Sequence, residues 1–198
     1  MLFNLFGKKD EAADDHIFTD KAYVSTNAKM NACAALARAD AGAVFICWFP
    51  QTAQKFKDFF RQQGLDENRV WETQHVHTSK LADKNPVFVE HYPLHGKEIK
   101  HKKNWDKEKI TVFSALDEPL FKHFGSDRVI PMVKMLGIKE DEAIEHSLVS
   151  KSIINGQEKI AAMVDTEQLA NSQAEWMTKN IRSWSVPVFI FYPRQLLL

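Results

Sequence analysis

Two groups of side chains in this sequence have the residue types and spacing that could do chemistry. His75 and His77 alternate along an apolar stretch, so on a strand both imidazoles would lie on one face, and His91 and His95 follow nearby. A zinc site requires three or four such ligands in tetrahedral geometry. Nothing in the sequence places the two pairs side by side, and Pro93 prevents the second pair from sharing a regular helical turn. We therefore favour surface or hydrogen-bonded histidines over a metal site.

The second group is a run of lysines that ends at a tryptophan. A loop of this composition could contact phosphate groups or a protein partner through its lysines, with the indole ring as a stacking platform. The alternative is a solvated hairpin between two strands. The formal net charge of the chain is zero, so the electrostatic footprint of a nucleic-acid-binding protein is missing and we expect no nucleic-acid binding. The residues that could contact an anion or a partner are Lys97, Lys100, Lys102, Lys103 and Trp105.

Motifs for nucleotide binding and covalent catalysis are missing from the sequence. A P-loop needs glycines and a Lys-Ser/Thr pair at fixed spacing so that backbone amides wrap the phosphates, and none of the seven glycines stands in such a run. No acidic Walker B run and no Gly-x-Ser-x-Gly turn is present. Cys33 and Cys47 lie in apolar runs and are expected to be buried free thiols. The sequence therefore predicts no catalytic residue, no nucleotide-binding residue, no metal and no cofactor.

The elements around these residues predict an α/β fold. Ala43–Phe49 is a continuous apolar run, typical of a strand buried on both faces, and the apolar spacing of Thr52–Gln63 predicts a helix that covers it. Because a strand with its covering helix is half of a βαβ unit, we expect an open, mostly parallel sheet of about five strands with flanking helices. Prolines bracket Val87–Tyr92 and favour an edge position for it. The predicted strands besides Ala43–Phe49 are Val70–His77, Val87–Tyr92, Ile110–Leu116 and Val186–Tyr192.

Helices are predicted on both sides of these strands. Asn27–Ala39 is predicted to be a helix capped by Ser25 or Thr26. Three more follow Ile110–Leu116, the last beginning near Ser147. The apolar spacing then slips, which predicts two helices or a kink in the last part of the chain. The residues predicted to cap these later helices are Asp117 for the first, Ser126 or Asp127 for the second, and Asp165 or Thr166 at the slip.

The stretch from Leu116 to Ile160 contains several short pieces in a fixed order. They are Asp117-Glu118 at a strand end, Phe124-Gly-Ser-Asp-Arg128, Leu136-Gly137, and Glu142-Ala-Ile-Glu-His146 followed by a helix. In this order and spacing the pieces resemble SecA, the motor ATPase of bacterial protein export. Weaker similarity covers Ile17–Gly64, and little is seen between Leu65 and Lys109.

The resemblance implies the second nucleotide-binding domain of SecA and the start of its scaffold helix, hence a helicase-type P-loop NTPase fold. That domain of SecA carries a Gly-Arg-Gly-Thr-Asp loop and arginines that reach the terminal phosphate of the nucleotide. In this chain no arginine occurs between Arg69 and Arg128. We therefore expect a degenerate, stand-alone relative: a non-catalytic interaction module linked to export or the cell envelope. The alternative is a nucleotide-binding protein or hydrolase with a rebuilt site.

Three parts of the chain are predicted from its composition. Residues 1–16 form an apolar and basic arm with an acidic linker, 17–146 the α/β domain, and 147–198 a helical segment with a C-terminal strand. No stretch approaches the roughly 20 apolar residues of a membrane span, so we expect a cytoplasmic protein. We expect a protein partner or self-association. Weak peripheral contact with the inner membrane would involve Leu2, Phe3, Leu5 and Phe6.

Overall fold

The computed structural model describes residues 18–105 and 109–181, and their strands form one open sheet. The strands are β1 (Phe18–Tyr23), β2 (Ala43–Cys47), β3 (Val70–Glu72), β4 (Asn85–Phe88) and β5 (Ile110–Ala115). Their order across the sheet is β1-β5-β4-β2-β3, and every neighbouring pair is parallel. The predicted α/β fold with an open parallel sheet is confirmed.

Seven helices in the described residues flank this sheet. They are α1 (Thr26–Ala39), α2 (Pro50–Gln62), α3 (His95–Lys103), α4 (Pro119–His123), α5 (Ser126–Met135), α6 (Ser147–Ala161) and α7 (Gln173–Asn180). Short 3-10 turns at Glu67–Arg69, Thr73–His75 and Thr78–Lys80 surround β3. The lysine run therefore forms the helix α3, and the alternative of a surface hairpin is wrong.

The interior of the sheet contains β2 and β4. All five residues of β2 are buried, which confirms the prediction of a strand covered on both faces. The edge position predicted for Val87–Tyr92 is wrong, because β4 lies between β2 and β5. Pro86 is tolerated because it lies near the start of β4, where it pairs with Val44, while pairing with β5 begins only at Val87.

The length of β3 also differs from the prediction. It pairs with β2 over Val70–Glu72 only, and the chain then turns into the 3-10 segment Thr73–His75. The predicted strand Val70–His77 is therefore wrong beyond Glu72, and His75 and His77 do not share a strand face. The predicted strand Val186–Tyr192 and the N-terminal arm lie outside the described residues.

The helix cap predicted for α1 is present in the structure, but the caps predicted at Asp117 and Ser126 are not. The Ser25 hydroxyl accepts from the Ala28 amide at 3.1 Å, as predicted. Asp117 does not cap the helix that follows it, because its carboxylate, at the end of the neighbouring strand β5, accepts from the Thr26 amide at the start of α1 at 2.8 Å. Ser126 is not a cap either, since its hydroxyl donates to the Leu116 carbonyl.

The last two helices confirm the predicted break. Helix α6 ends at Ala161, and α7 begins after Ser172, whose hydroxyl accepts from the Glu175 amide at 3.1 Å. The caps predicted at Asp165 and Thr166 are wrong. Between α5 and α6 the connection touches the outer edge of β1, where Ala22 and Ile144 exchange two backbone hydrogen bonds of 3.2 and 2.8 Å.

Candidate functional site

The carboxyl ends of the five parallel strands meet along one edge of the sheet, which is where open α/β proteins bind ligands. Residues that directly follow β2, β4 and β5 lie there, and the first turns of α1 and α2 begin beside them. We call this region the carboxyl edge. Three of its ionisable side chains, Lys29, Glu90 and Glu118, are buried close to one another, which makes it the first candidate for a functional site.

Glu90 occupies the position at the carboxyl edge where an anion would be expected. It follows β4, and its Oε1 accepts from the amides of Trp48 at 3.0 Å and Phe49 at 3.2 Å, at the start of α2. Its Oε2 accepts from the Thr52 hydroxyl at 2.8 Å. Helix N-termini of this kind bind phosphate through free amides. Here a carboxylate of the chain itself takes two of those donors.

The pKa of Glu90 is raised to about 7 because burial disfavours its charged form, and the nearby carboxylate of Glu118 adds to the shift. The ammonium of Lys29 and the hydrogen bond from Thr52 act in the opposite direction. The carboxyl group therefore titrates near neutral pH while it binds the two amides that directly precede α2.

Lys29 and Glu118 form a buried ion pair next to Glu90. Lys29 extends from α1, and its ammonium donates to the Glu118 carboxylate and to the Val89 carbonyl. Burial lowers the pKa of Lys29, but the charges of Glu118 and Glu90 outweigh it and hold this pKa above its ordinary value. The ammonium also lies 5.5 Å from the centre of the Phe56 ring. This cation is therefore committed to neighbouring groups of the chain.

A second buried network joins β1, α3 and α6 through His91. Its Nε2 lies 3.0 Å from Asp20 Oδ1, and its Nδ1 lies 3.0 Å from Glu98 Oε1. Burial lowers the pKa of His91, but the charges of Glu98 and Asp20 raise it overall to about 10. Glu98 Oε2 accepts from Gln157 of α6 at 2.9 Å and lies 3.4 Å from His95 Nδ1. The histidine is thus a buried cation between two carboxylates.

This histidine network has the composition of a catalytic cluster but lacks room for a substrate. The cavity beside it has a volume of about 10 Å³ and is lined by the network residues Asp20, His91, His95, Glu98 and Gln157 together with Ser150, Phe18, Ile153 and Ile154. That is about the space of one water molecule. Its geometry supports a structural role in tying α3 and α6 to the sheet.

His91 and His95, which the sequence did not place next to each other, meet at the carboxylate of Glu98. His91 and His95 both contact its carboxylate, although Pro93 excludes them from one helical turn. Nothing in the sequence pointed to Glu98, because a buried acid within a lysine run gives no periodic signal. In residues 18–105 and 109–181 no group of three or more His, Cys, Asp or Glu side chains could hold a metal ion. Cys33 and Cys47 are buried free thiols, as predicted.

The predicted contact residues on α3 are divided between surface and core. Lys100 and Lys103 are exposed, Lys102 is half-buried, and Lys97 pairs with Glu167. These four lysines remain a prediction for anion or partner contact.

Trp105 cannot serve as the predicted stacking platform. It is only 5% exposed, and its ring stacks on Phe88 with the ring centres 5.3 Å apart. Phe88 in turn stacks on Trp48 at 4.9 Å, so the three rings form a column in the core beneath α3.

A larger pocket opens beside the start of α2 and has a volume of about 360 Å³. We call it the Trp48 pocket. Its size is within the range of small-molecule sites, and its lining, as far as the structure describes the chain, contains one carboxylate and no cationic side chain. The lining residues are Trp48, Phe49, Pro50, Glu72, Thr73, Gln74, Tyr92, Leu169, Ala170 and Asn171.

The end of α5 presents a different kind of surface. Met132, Met135 and Leu136 are 39%, 86% and 51% exposed, whereas Val129 and Val133 of the same helix are buried. We call the three exposed residues the α5 face. Within the described residues no helix is long and apolar enough to cross a membrane.

Comparison with known proteins finds local similarity only. No protein-family model matches the chain. The protein translocase subunit SecA of Acinetobacter baumannii is 48% identical over 50 residues, which are 25% of this chain and 6% of the relative. SecA of Psychrobacter cryohalolentis is 52% identical over 48 residues, 24% of this chain and 5% of the relative. SecA of Acinetobacter baylyi gives 48% over 50 residues, again 25% and 6%. The chain therefore contains a SecA-related region and spans a small fraction of the relatives it matches.

Proposed function

We propose that this chain is a non-catalytic protein-interaction module, derived from SecA and linked to protein export. The α5 face carries this proposal: it exposes Met132, Met135 and Leu136 in the stretch that resembles SecA. Exposed methionines with flexible, polarisable side chains are typical of binding surfaces. The matched segment is 6% of the SecA relative, so most of that protein has no counterpart in the match, and we propose that a partner protein covers this face.

The carboxyl edge supports the non-catalytic part of the proposal. An enzyme that transfers phosphoryl groups needs free amides and cations at the nucleotide. At this edge Glu90 takes the Trp48 and Phe49 amides, and Lys29 is buried against Glu118. A triphosphate approaching the start of α2 would meet a carboxylate instead of donors.

The link to export rests on the relatives. The matched proteins are named as protein translocase subunits, and we propose that the partner is a component of the same machinery or a second copy of this chain. We further propose that the protein acts in the cytoplasm or at the inner membrane. Cell fractionation of the native protein tests this location.

The experiment is capture of partners from a native lysate by the wild-type chain and by a double variant, Met135→Ser with Leu136→Ser. Both side chains are exposed, so the variant should fold normally and lose the captured protein. Met163→Ser is the matched control, because Met163 is 44% exposed but lies beyond α6. Equal capture by all three proteins would contradict the proposal.

Nucleotide titration of the same preparation tests the alternative function. We expect no heat of ATP binding by calorimetry, because the donors at the start of α2 are already used. A saturable titration with a Kd near or below about 10 μM would instead establish a nucleotide-binding protein with a rebuilt site.

A further inference from the structure

The Trp48 pocket has a composition that selects against anions. Among the described residues of its lining, Glu72 is the one carboxylate, and no lysine, arginine or histidine is present. The amides of Trp48 and Phe49, which could have offered donors from its wall, are bound to the buried Glu90. The nearby ammonium of Lys97 lies 5.5 Å from the Tyr92 ring centre but is paired with Glu167. A ligand would therefore meet a carboxylate and aromatic rings.

The rim of the pocket is formed by a loop that is firmly held. In residues 162–172, which we call the Leu169 loop, the backbone of Gln168 makes two hydrogen bonds to the Asn180 side chain, at 2.7 and 2.9 Å. Glu167 accepts from Trp176 at 2.8 Å and also from Tyr92. At the other end, the Asn171 carbonyl accepts from the Gln51 amide at 3.0 Å.

Leu169 is exposed despite this fixed backbone. Its side chain is 80% exposed at the rim of the pocket, while its carbonyl accepts from Lys179 at 3.1 Å. A rigid loop that holds an apolar side chain in water has already lost the entropy that binding would otherwise cost. Such a residue is suited to act as an anchor for the apolar part of a ligand.

We infer that the Trp48 pocket binds a basic side chain of an extended peptide whose neighbouring apolar residue packs on Leu169. The guanidinium or ammonium pairs with Glu72 and lies against the ring of Trp48, which is only partly buried. The pocket shares no residue with the α5 face, so this site goes beyond the proposed function. Either one can fail without the other.

The test is fluorescence anisotropy with three fluorescein-labelled pentapeptides of the form Gly-Leu-Xaa-Leu-Gly, with arginine, glutamine or glutamate at Xaa. We expect the arginine peptide to bind roughly tenfold more tightly than the glutamine peptide, and the glutamate peptide to bind weakest. The inference is overturned if the three peptides bind alike or if none binds with a Kd below about 1 mM.

Two variants connect binding to the pocket. Glu72→Gln should weaken the arginine peptide roughly tenfold and leave the glutamine peptide unchanged. Its control, Glu158→Gln, makes the same change of charge on an exposed residue of α6 and should have no effect.

Leu169→Ser should weaken all three peptides, whereas Met135→Ser on the α5 face should weaken none of them. Unaltered binding by Glu72→Gln and Leu169→Ser in proteins with wild-type circular dichroism would place the peptide elsewhere and refute the site.

Discussion

At the carboxyl edge, ionisable side chains are buried and bind one another, whereas at the end of α5 apolar side chains are exposed to water. Lys29, Glu118 and Glu90 illustrate the first arrangement, and Met135 illustrates the second. Buried ionisable side chains and exposed clusters of large apolar side chains are both uncommon in folded proteins. The difference teaches that at the carboxyl edge a carboxylate of the chain itself takes the amides where this fold usually binds phosphate, whereas at the end of α5, where we propose that a partner binds, apolar side chains are left in water.

The largest effect on stability is expected for Lys29→Ala at the carboxyl edge. It leaves the buried carboxylate of Glu118 without its cation, and loss of one partner of a buried ion pair costs about 3–5 kcal/mol. Urea unfolding followed by circular dichroism measures the loss. The double variant Lys29→Met with Glu118→Leu should recover most of it, because no unpaired charge is left. Equal loss in both variants would show that packing dominates over charge here.

His91 tests whether the second network is held by charge. Its pKa in the folded protein is about 10, above the ordinary 6.5, so it stabilises the fold fully below pH 6.5 and loses this contribution as the pH rises toward 10. The difference in unfolding free energy between wild type and His91→Gln should shrink by on the order of 3 kcal/mol across that range. A difference that is constant with pH would contradict a buried imidazolium.

Glu90 gives a smaller effect near neutral pH. Its pKa of about 7 in the folded protein exceeds the ordinary 4.5, so its contribution to stability is greatest below pH 4.5 and is lost as the pH rises through 7. Glu90→Gln cannot ionise. The stability of wild type relative to this variant should therefore fall by on the order of 2 kcal/mol between about pH 4.5 and pH 8. Unfolding by urea at several pH values checks this, and a rise would reverse the assignment.

The α5 face should show the smallest effect on stability. Met135 is 86% exposed, so Met135→Ser should change the unfolding free energy by less than about 0.5 kcal/mol. Val133→Ser, two residues earlier and buried, is the matched control and should destabilise the protein by more than about 1 kcal/mol. A large loss in Met135→Ser would mean that this side chain packs within the chain, and the contrast between the two regions would disappear.

Much of the fold was readable from local patterns. The apolar run of β2, the periodic phenylalanines of α2 and the Ser25 cap of α1 each depend on neighbours in sequence, and the structure confirms them. The pattern failed at α3, because this helix has one apolar residue, Ile99, and buries an acid. It failed again at β4, where prolines indicated an edge and the register of the sheet placed the strand inside.

The candidate site could not be read from the sequence for a physical reason. Glu90 acts on amides 41 and 42 residues away, and Lys29 reaches Glu118 across 89 residues. Such contacts arise only when parallel strands bring their carboxyl ends together. The missing phosphate-binding motifs predicted an edge without a nucleotide site, and this stays a prediction. Only the structure shows that the carboxylate of Glu90 occupies the place where an anion would be expected.

The two backbone hydrogen bonds between Ala22 and Ile144 have a consequence for assembly of this protein. They hold the connection between α5 and α6 against β1, and they use backbone hydrogen-bonding groups at the outer edge of that strand. A strand of a second chain could pair with this part of β1 only after the connection between α5 and α6 had been displaced. Growth by added strands is thereby directed to the opposite border at β3, which is only three residues long.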